Sequence, residues 1–432
     1  MVKICVEETT VLDPLETNYP FELSFFQKSA ITAIQKGESV LVTAHTGSGK
    51  TLPAEYGIEY WVSKGKKVVY TSPIKALSNQ KFHEFTNKFP DISFGLLTGD
   101  IKYNPEADVL IMTTEILRNT LFQKTIIATG DEPASALQFD MDLQSELTCV
   151  IFDEVHYIND LSRGKVWEET IMMLPNHVQL IMLSATIDNP SRFASWVENQ
   201  NPTKEVWLCS TSTRVVPLKH YMYITVHDSM FDTMDDKSLK HKFQGINNEF
   251  QLLKSKQDHF NDSLYHGVKD VKRYMDKNRV FLKRSYALNK VVKQLQTKDM
   301  LPAICFVFSR KGVEQCASEI THSLIEEGST HGETVENECK KILLKLSNYR
   351  EYMNLPEYTF MIKLLKKGIA IHHSGVLPIL REMVELLFSK GYIRLLFATE
   401  TFAVGINMPT NCLLYTSPSP RDLSTSRMPS SA

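Results

Sequence analysis

A glycine-rich segment near the start of the chain, TAHTGSGKT at residues 43–51, has the composition of a phosphate-binding loop. An apolar run predicted to be a strand leads into it, and an amphipathic run at 52–63 predicted to be a helix follows it. Gly47 and Gly49 allow the backbone to turn so that successive N–H groups and the helix N-terminus face an anion. Because Ala44 replaces the first glycine of the usual pattern, an ordinary glycine-rich turn stays an alternative.

The side chains of this loop predict the binding of a nucleoside triphosphate. Lys50 would reach the β- and γ-phosphates, and the Thr51 hydroxyl would bind Mg²⁺. Gln27, upstream of the loop, would read an adenine edge with its amide, although a single glutamine is a weak signal. We therefore expect ATP, with GTP as the alternative, and Mg²⁺ as cofactors. The loop residues expected to contact the nucleotide are Thr46, Gly47, Ser48, Gly49, Lys50 and Thr51.

Two adjacent carboxylates form the second candidate for chemistry. The segment LTCVIFDEVH at 147–156 is predicted to be a buried strand that ends in Asp153 and Glu154. Asp153 would hold Mg²⁺, and Glu154 would take a proton from the attacking water. We group His156, which follows, with Lys50 and this pair as candidate catalytic residues. Two surface acids after a strand are common, but their position downstream of a phosphate loop favours an NTPase.

Apolar runs that alternate with helix-length amphipathic segments must position these residues. The runs are rich in Val, Ile and Leu without strict alternation, which is typical of strands buried on both faces of a parallel sheet. We therefore predict an α/β fold with two parallel-sheet domains in tandem. The predicted strands are 39–44, 67–72, 92–97, 108–113, 148–152, 179–183 and 206–209, followed by 303–308, 368–373, 393–398 and 411–415.

The same pattern predicts how the chain is divided. An ATP-binding domain would cover residues 1–215, and a polar helical connector would cover 216–297. A second, incomplete domain would cover 298–415. The Ser- and Pro-rich segment 416–432 is predicted to be a disordered or non-native tail, because it lacks the apolar residues needed to form a core.

Composition limits the classes of function. The chain is 43% hydrophobic and 23% charged, which excludes a wholly disordered protein. Its formal net charge of -2 means that nucleic acid would have to bind in a local groove and to backbone amides. The seven cysteines form no C-x-x-C pair, which disfavours a disulfide framework or a zinc cluster. The scattered cysteines suit a reducing compartment, so we expect an intracellular protein, cytoplasmic or nuclear. We expect no membrane partner, because no apolar run approaches the ~18 residues of a membrane span.

Further short blocks accompany the two motifs in a fixed order, and this ordered set resembles the superfamily-2 DExH-box RNA helicases. The resemblance is greatest to the superkiller type, which serves the RNA exosome. The blocks are FQKSAI (26–31), AHTGSGKT (44–51), TSPIKALSNQKF (71–82), TGD (98–100), TTEILRN (113–119), FDEVHYINDLSRGKVWEE (152–169), MLSAT (182–186), FVFSR (306–310), GIAIHHSGVLPILREMVELLF (368–388) and LFATETFAVGINMP (396–409).

The resemblance implies two RecA-like domains whose closure on ATP drives 3′-to-5′ translocation or unwinding of RNA, in RNA decay or processing. It implies that the partners are RNA with a single strand or a 3′ overhang and the RNA exosome or accessory subunits. A related DNA-repair helicase stays an alternative. So does a nucleotide- and RNA-binding fragment without turnover.

The resemblance also assigns roles to individual residues. Gln27 would be the adenine reader, and Gly405 would approach the nucleotide from the second domain. Ser184 and Thr186 would couple hydrolysis to domain movement. The RNA track would use Pro73, Lys75, Thr98, Gly99, Thr114 and Arg118 in the first domain, and Ser309, Arg310, His373, Ser374, Gly375 and Thr399 in the second.

The end of the chain departs from the family pattern. Relatives continue to a Q-x-x-GRAGRxG block whose arginines reach the γ-phosphate. This chain instead ends in NCLLYTSPSPRDLSTSRMPSSA at 411–432. We therefore expect a C-terminally truncated chain with weakened ATPase activity.

Overall fold

The computed structural model consists of two compact units, Met1–Pro217 and Leu218–Ala432. Each unit contains a sheet of mainly parallel strands, so the predicted α/β class with a large parallel sheet is confirmed. The structure describes residues 2–6, 10, 19–99, 101–128, 145–160, 163–185, 187–232, 234–255, 259–326, 328–344, 348–399, 402 and 409–415.

The described residues of the first unit form one nine-stranded sheet in the order β1-β9-β2-β8-β7-β3-β6-β4-β5. Every neighbouring pair is parallel except β4 and β5. The strands are β1 Lys3–Cys5, β2 Ser39–Ala44, β3 Lys67–Ser72, β4 Phe94–Leu97, β5 Lys102–Tyr103, β6 Val109–Thr113, β7 Leu147–Phe152, β8 Gln179–Ser184 and β9 Val206–Thr211.

Helices cover both faces of this sheet, which explains the apolar runs in the sequence. On β7, Val150 and Phe152 belong to one apolar cluster, while Cys149 and Ile151 belong to the cluster on the opposite face. A strand buried on both faces has no polar side to alternate with. The helices are α1 Phe25–Gln35, α2 Leu52–Val62, α3 Lys75–Lys88, α4 Thr114–Ala128, a 3₁₀ helix Val155–Asn159, α5 Gly164–Met173 and α6 Pro190–Gln200.

The second unit contains a four-stranded parallel sheet in the order β13-β14-β12-β15 and a separate antiparallel pair, β10 and β11. Its strands are β10 His220–Tyr223, β11 Phe250–Lys254, β12 Ala303–Phe306, β13 Ile369–His372, β14 Leu395–Ala398 and β15 Cys412–Tyr415. Its helices are α7 Ser229–Asp232, α8 Lys237–Ile246, α9 Asp262–Lys277, α10 Arg284–Thr297, α11 Arg310–Glu319, α12 His331–Leu343, α13 Tyr349–Met353, α14 Pro356–Leu365 and α15 Pro378–Ser389.

The segment 216–297, for which the sequence predicts a polar helical connector, contains more than helices. It holds the β10–β11 pair, whose strands are short and partly exposed. It also has a small apolar cluster of its own, to which Phe243 and Val271 contribute. The predicted tail, 416–432, lies outside the described residues.

The described residues contain no disulfide bond, metal-binding cluster or membrane-spanning helix. All seven cysteines are free thiols, and six are buried. Within the described ranges, no group of three or more His, Cys, Asp or Glu side chains is arranged to hold a metal ion. None of the described helices is long and apolar enough to cross a membrane.

Candidate functional site

The glycine-rich loop follows the carboxyl end of β2 and leads directly into α2. Gly47 and Gly49 have φ values of +82° and +81°, in the left-handed region that glycine adopts without strain. A Cβ atom at position 49 would lie 2.6 Å from Gln27 Nε2, whereas one at position 47 would meet nothing within 4 Å. Gly49 is therefore favoured by the backbone conformation, and a side chain at this position would also displace the amide of Gln27.

Gln27 lies on α1 and contacts the loop directly. Its Nε2 donates to the Gly49 carbonyl at 3.2 Å, and its Oε1 accepts from Ser24 N and Ser24 Oγ, each at 2.9 Å. The side chain is buried, so these bonds hold the amide in one orientation beside the loop. Its predicted reading of adenine stays a prediction.

The structure joins the phosphate loop to the acidic pair. Lys50 Nζ lies 2.7 Å from Glu154 Oε1, although the two residues are 104 positions apart. Lys50 follows β2 and Glu154 follows β7, and in the sheet only β8 separates these strands. Because the strands are parallel, their carboxyl ends share one edge, which is where ligands of such sheets bind.

Asp153 is the most deeply buried carboxylate of the pair. Its Oδ2 accepts a 2.6 Å hydrogen bond from the Tyr70 hydroxyl, and its Oδ1 accepts from Glu154 N at 2.9 Å. Burial raises the pKa of Asp153, and the neighbouring charge of Glu154 raises it further. A cation at this position would relieve both effects. The oxygens of Asp153 and Thr51 are donors that Mg²⁺ prefers, so the residues present fit that ion.

Glu154 has an unusual backbone and a carboxylate oxygen without a hydrogen-bond partner. Its φ and ψ of 50° and 46° are in the left-handed region, where strain in a non-glycine residue commonly marks a functional site. Glu154 Oε2 is buried and accepts no hydrogen bond from the described residues. His156 Nδ1 lies 3.4 Å from it, and burial lowers the pKa of His156, which favours a neutral imidazole. The free oxygen is therefore able to accept a proton or a hydrogen bond.

The residues expected to couple hydrolysis to movement are only partly visible. Ser184 ends β8, between the strands that carry Lys50 and Glu154. It is fully buried, and its hydroxyl has no hydrogen-bond partner among the described residues. Thr186 and Gly405 lie outside the described residues, so their predicted roles stay predictions.

The predicted RNA contacts of the first unit follow strands β3, β4 and β6. Pro73 is buried after β3, and Lys75 begins α3. A Cβ atom at Gly99 would lie 3.0 Å from Lys75 Nζ, so the lysine packs over this glycine. Thr98 Oγ1 accepts from Ile101 N at 3.2 Å, which closes the turn after β4. These residues share the carboxyl edge of the sheet with the phosphate loop.

Thr114 and Arg118 belong to α4, which follows β6. Thr114 is fully buried, and its Oγ1 donates to the Ser72 carbonyl at 3.5 Å. Arg118 donates to Glu169 Oε2 at 3.3 Å and to Asn119 Oδ1 at 3.0 Å. The hydroxyl of Thr114 therefore joins the start of α4 to the end of β3. Arg118 is the more exposed of the two side chains.

The predicted contacts of the second unit also meet at one sheet edge, after β12, β13 and β14. Ser309 Oγ accepts from Gly312 N at 3.0 Å and caps α11, which Arg310 begins. Gly375 N donates to His373 Nδ1 at 3.1 Å. A Cβ atom at Gly375 would lie 3.1 Å from His373 Nδ1 and 3.5 Å from Arg310 Cδ, so these three residues are packed together.

The other residues of this group differ in exposure. Ser374 is exposed, whereas Thr399 is buried and its N–H donates to the His372 carbonyl at 3.1 Å. His373 is only 2% exposed, and its Nε2 lies 3.3 Å from Glu314 Oε1. Burial lowers the pKa of His373. The imidazole therefore positions Gly375 from inside the unit.

Tyr70 is a residue that the sequence analysis did not identify. It is fully buried on β3, and the bond to Asp153 is its polar contact. The available signal was a phenol within the otherwise aliphatic run of a buried strand, KVVYTS at 67–72, because a buried hydroxyl needs a hydrogen-bond partner.

Replacing Asp153 by Asn should stabilise the ligand-free chain at neutral pH. The folded-state pKa of Asp153 is raised, so the cost of the buried charge appears as the pH rises through the ordinary value of 3.8 and persists above the folded value. Asn carries no charge, and it can keep both contacts: its Oδ1 can accept from Glu154 N, and its Nδ2 can donate to the hydroxyl oxygen of Tyr70. We expect a higher melting temperature at pH 7, and the gain should shrink as the pH falls toward 3.8. Thermal unfolding between pH 3.8 and 7 measures this gain in melting temperature, and Asp91→Asn, at an exposed position, is the control. An equal gain at every pH would contradict the raised pKa of Asp153.

Comparisons with known proteins agree with this geometry. Residues 24–193 match the DEAD/DEAH box helicase family. The chain is 39% identical to "Superkiller complex protein 2" of Homo sapiens over 95% of its length, and 37% identical to "Antiviral helicase SKI2" of Saccharomyces cerevisiae over 93%. It is 39% identical to "Exosome RNA helicase MTR4" of Homo sapiens over 92% of its length.

These alignments cover 31%, 32% and 35% of the three relatives, so the chain spans about a third of the length of the curated relatives it matches. The matched range includes the phosphate loop, the acidic pair and Ser184. Residues 24–193 therefore form a DEAD/DEAH box helicase domain, and the chain is a homologue of the superkiller and MTR4 RNA helicases.

Proposed function

We propose that this chain is the motor portion of an ATP-dependent RNA helicase, which hydrolyses ATP and moves 3′-to-5′ along RNA. The observation that carries the proposal is the 2.7 Å contact between Lys50 and Glu154. It brings a cation suited to a triphosphate next to a carboxylate suited to proton transfer. Both lie at the edge of a parallel sheet where nucleotides bind in this architecture.

The proposed chemistry follows from the ligand-free contacts. The backbone N–H groups of the glycine-rich loop and the N-terminus of α2 would bind the phosphates. Lys50 would turn from Glu154 to the β- and γ-phosphates, because these carry more negative charge. Glu154, freed from its ion pair, would accept the proton of the attacking water. Thr51 and Asp153 would hold Mg²⁺, which supplies charge neutralisation at the phosphates when bound.

RNA would bind at the sheet edges described above. Small hydroxyls, glycines and backbone amides at these edges suit the sugar–phosphate backbone, because they read no bases. A formal net charge of -2 is compatible with such contacts, which depend on geometry more than on the total charge of the chain. Gln27 would contact adenine, and Ser184 with its unpartnered hydroxyl would respond to the state of the nucleotide.

The names of the relatives support a role in RNA decay. One is named for the superkiller complex and another for the exosome. We propose that this chain acts with an RNA exosome or its accessory subunits, in the cytoplasm or the nucleus. The free thiols of all seven cysteines are in keeping with such a reducing compartment.

RNA-stimulated ATP hydrolysis tests the proposed function. We expect turnover to rise when single-stranded RNA is added, and to rise less with single-stranded DNA of the same sequence at the same salt concentration. Equal stimulation by DNA would favour a DNA helicase. Nucleotide and RNA binding without any turnover would favour a binding module, and no binding of either ligand would refute the proposal.

A further inference from the structure

The turn between α9 and α10 exposes an aromatic ring among cations. We call residues 277–284, KNRVFLKR, the cationic turn. Phe281 is 91% exposed, whereas its neighbour Val280 packs against the apolar cluster that contains Phe243. The backbone is therefore anchored on one side, and the packing of Val280 directs the next side chain to solvent. Phe281 therefore presents the face of its ring to solvent, where a flat ligand can stack on it.

The cationic turn carries a local excess of positive charge. It contains four basic residues and no acidic one, although the whole chain has a net charge of -2. Arg284 is held by Glu319, with Nη2–Oε1 and Nε–Oε2 distances of 2.7 and 3.1 Å. Within the described part of the chain, no acidic side chain forms an ion pair with Arg279 or Lys283. Two solvent-exposed cations thus flank Phe281 at a spacing of two residues each.

Arg279 occupies a backbone position that favours glycine. Its φ is +52°, and it follows the C-cap of α9 in a Schellman arrangement: Arg279 N donates to Asp276 O at 3.3 Å and Val280 N donates to Met275 O at 2.9 Å. Asp299 occupies the same position after α10, also with a φ of +52°. Aspartate visits this conformation readily, but a long side chain such as arginine does not. The backbone at Arg279 is therefore strained.

We propose that the cationic turn is a second binding site for single-stranded RNA, apart from the sheet edges. A base would stack on Phe281, and Arg279 and Lys283 would bind the phosphates on either side of it. A fully exposed ring between cations matches a nucleotide better than an acidic peptide, which offers carboxylates but no π-face for stacking. The choice of RNA as the strand rests on the proposed function.

Binding of a short oligouridine RNA to the full chain, measured by fluorescence anisotropy over a range of salt concentrations, tests the site. We expect Phe281→Ala to weaken binding about tenfold. Phe281→Trp should retain it. On an abasic oligomer of the same length, Phe281→Ala should have no effect, because no base is present to stack. Arg279→Gly should lower the slope of log affinity against log salt by about 0.7.

Arg279→Gly and Asp299→Gly form a matched pair. Neither should lower the melting temperature, because glycine adopts the left-handed backbone conformation of both positions without strain. Only Arg279→Gly should weaken RNA binding, so a lost affinity cannot be ascribed to misfolding. The site is refuted if both Phe281→Ala and Arg279→Gly keep the wild-type affinity for RNA, whether or not polyglutamate competes. If the wild-type chain binds no RNA, the proposed function fails together with the site.

Discussion

Lys50→Ala is expected to weaken ATP binding by roughly 10- to 100-fold, since a charge-assisted hydrogen bond contributes about 1.5–3 kcal/mol. The turnover should fall with it, because the lysine also opposes charge that develops on the phosphates. Isothermal titration with ATP and a phosphate-release assay measure the two effects. An unchanged affinity would contradict the assignment of the glycine-rich loop as the phosphate site.

The ligand-free structure adds a second expectation for this variant. Without Lys50, the carboxylate of Glu154 loses its 2.7 Å partner while its other oxygen is already buried without a hydrogen bond. The single variant should therefore also lower the melting temperature. The double variant with Glu154→Ala should recover stability but not ATP affinity, because it removes the unpaired charge and leaves the phosphates unbound.

Lys67→Ala is the matched control for the lysine. Lys67 Nζ also pairs with a carboxylate, Glu146 Oε2 at 3.5 Å, and its side chain is 19% exposed. It begins β3, so it lies at the opposite edge of the sheet from the phosphate loop. The control should leave ATP affinity unchanged. A similar loss in both variants would mean that the effect of Lys50→Ala is a general consequence of removing a charge.

Glu154→Gln is expected to reduce ATP hydrolysis by roughly 100- to 10,000-fold, the usual contribution of a general base. Gln has nearly the same shape and still accepts a hydrogen bond from Lys50, so the fold should persist. ATP binding should be kept or strengthened, because Lys50 no longer has to leave an opposite charge to reach the phosphates. Single-turnover hydrolysis, alongside an ATP titration, separates the two quantities.

Glu146→Gln is the control for the carboxylate, since it neutralises an acid that pairs with a lysine away from the loop. It should hydrolyse ATP at the wild-type rate. Hydrolysis by Glu154→Gln at a similar rate would assign the base elsewhere, and His156, 3.4 Å from Glu154 Oε2, would be the next residue to replace.

Much of the fold can be predicted from the local sequence, because buried strands appear as continuous apolar runs. The runs at 39–44 and 67–72 coincide with β2 and β3, and the helix predicted at 52–63 ends one residue earlier in the structure. The β10–β11 pair is the main element that the sequence pattern did not predict. Its strands are short and partly exposed, and they lie in a segment whose overall composition is polar and charged, which favours a connector over a sheet.

The arrangement of the site required the tertiary structure. Lys50 and Glu154 meet because β8 alone lies between β2 and β7, and this order is set by packing between strands of nearly identical composition. No local pattern distinguishes one such order from another. For the same reason the sequence did not indicate that Tyr70 binds Asp153 or that His373 is buried beneath Gly375.

The sequence by itself therefore determined which residue types carry the chemistry, since phosphate loops need glycines and a lysine, and proton transfer needs a carboxylate at a strand end. Only the tertiary structure decided which of these groups touch and which side chains reach solvent. Phe281 and Val280 illustrate the difference, because two adjacent apolar residues have opposite exposure. Exposure depends on what packs against a side chain from distant parts of the chain, and that information is not local.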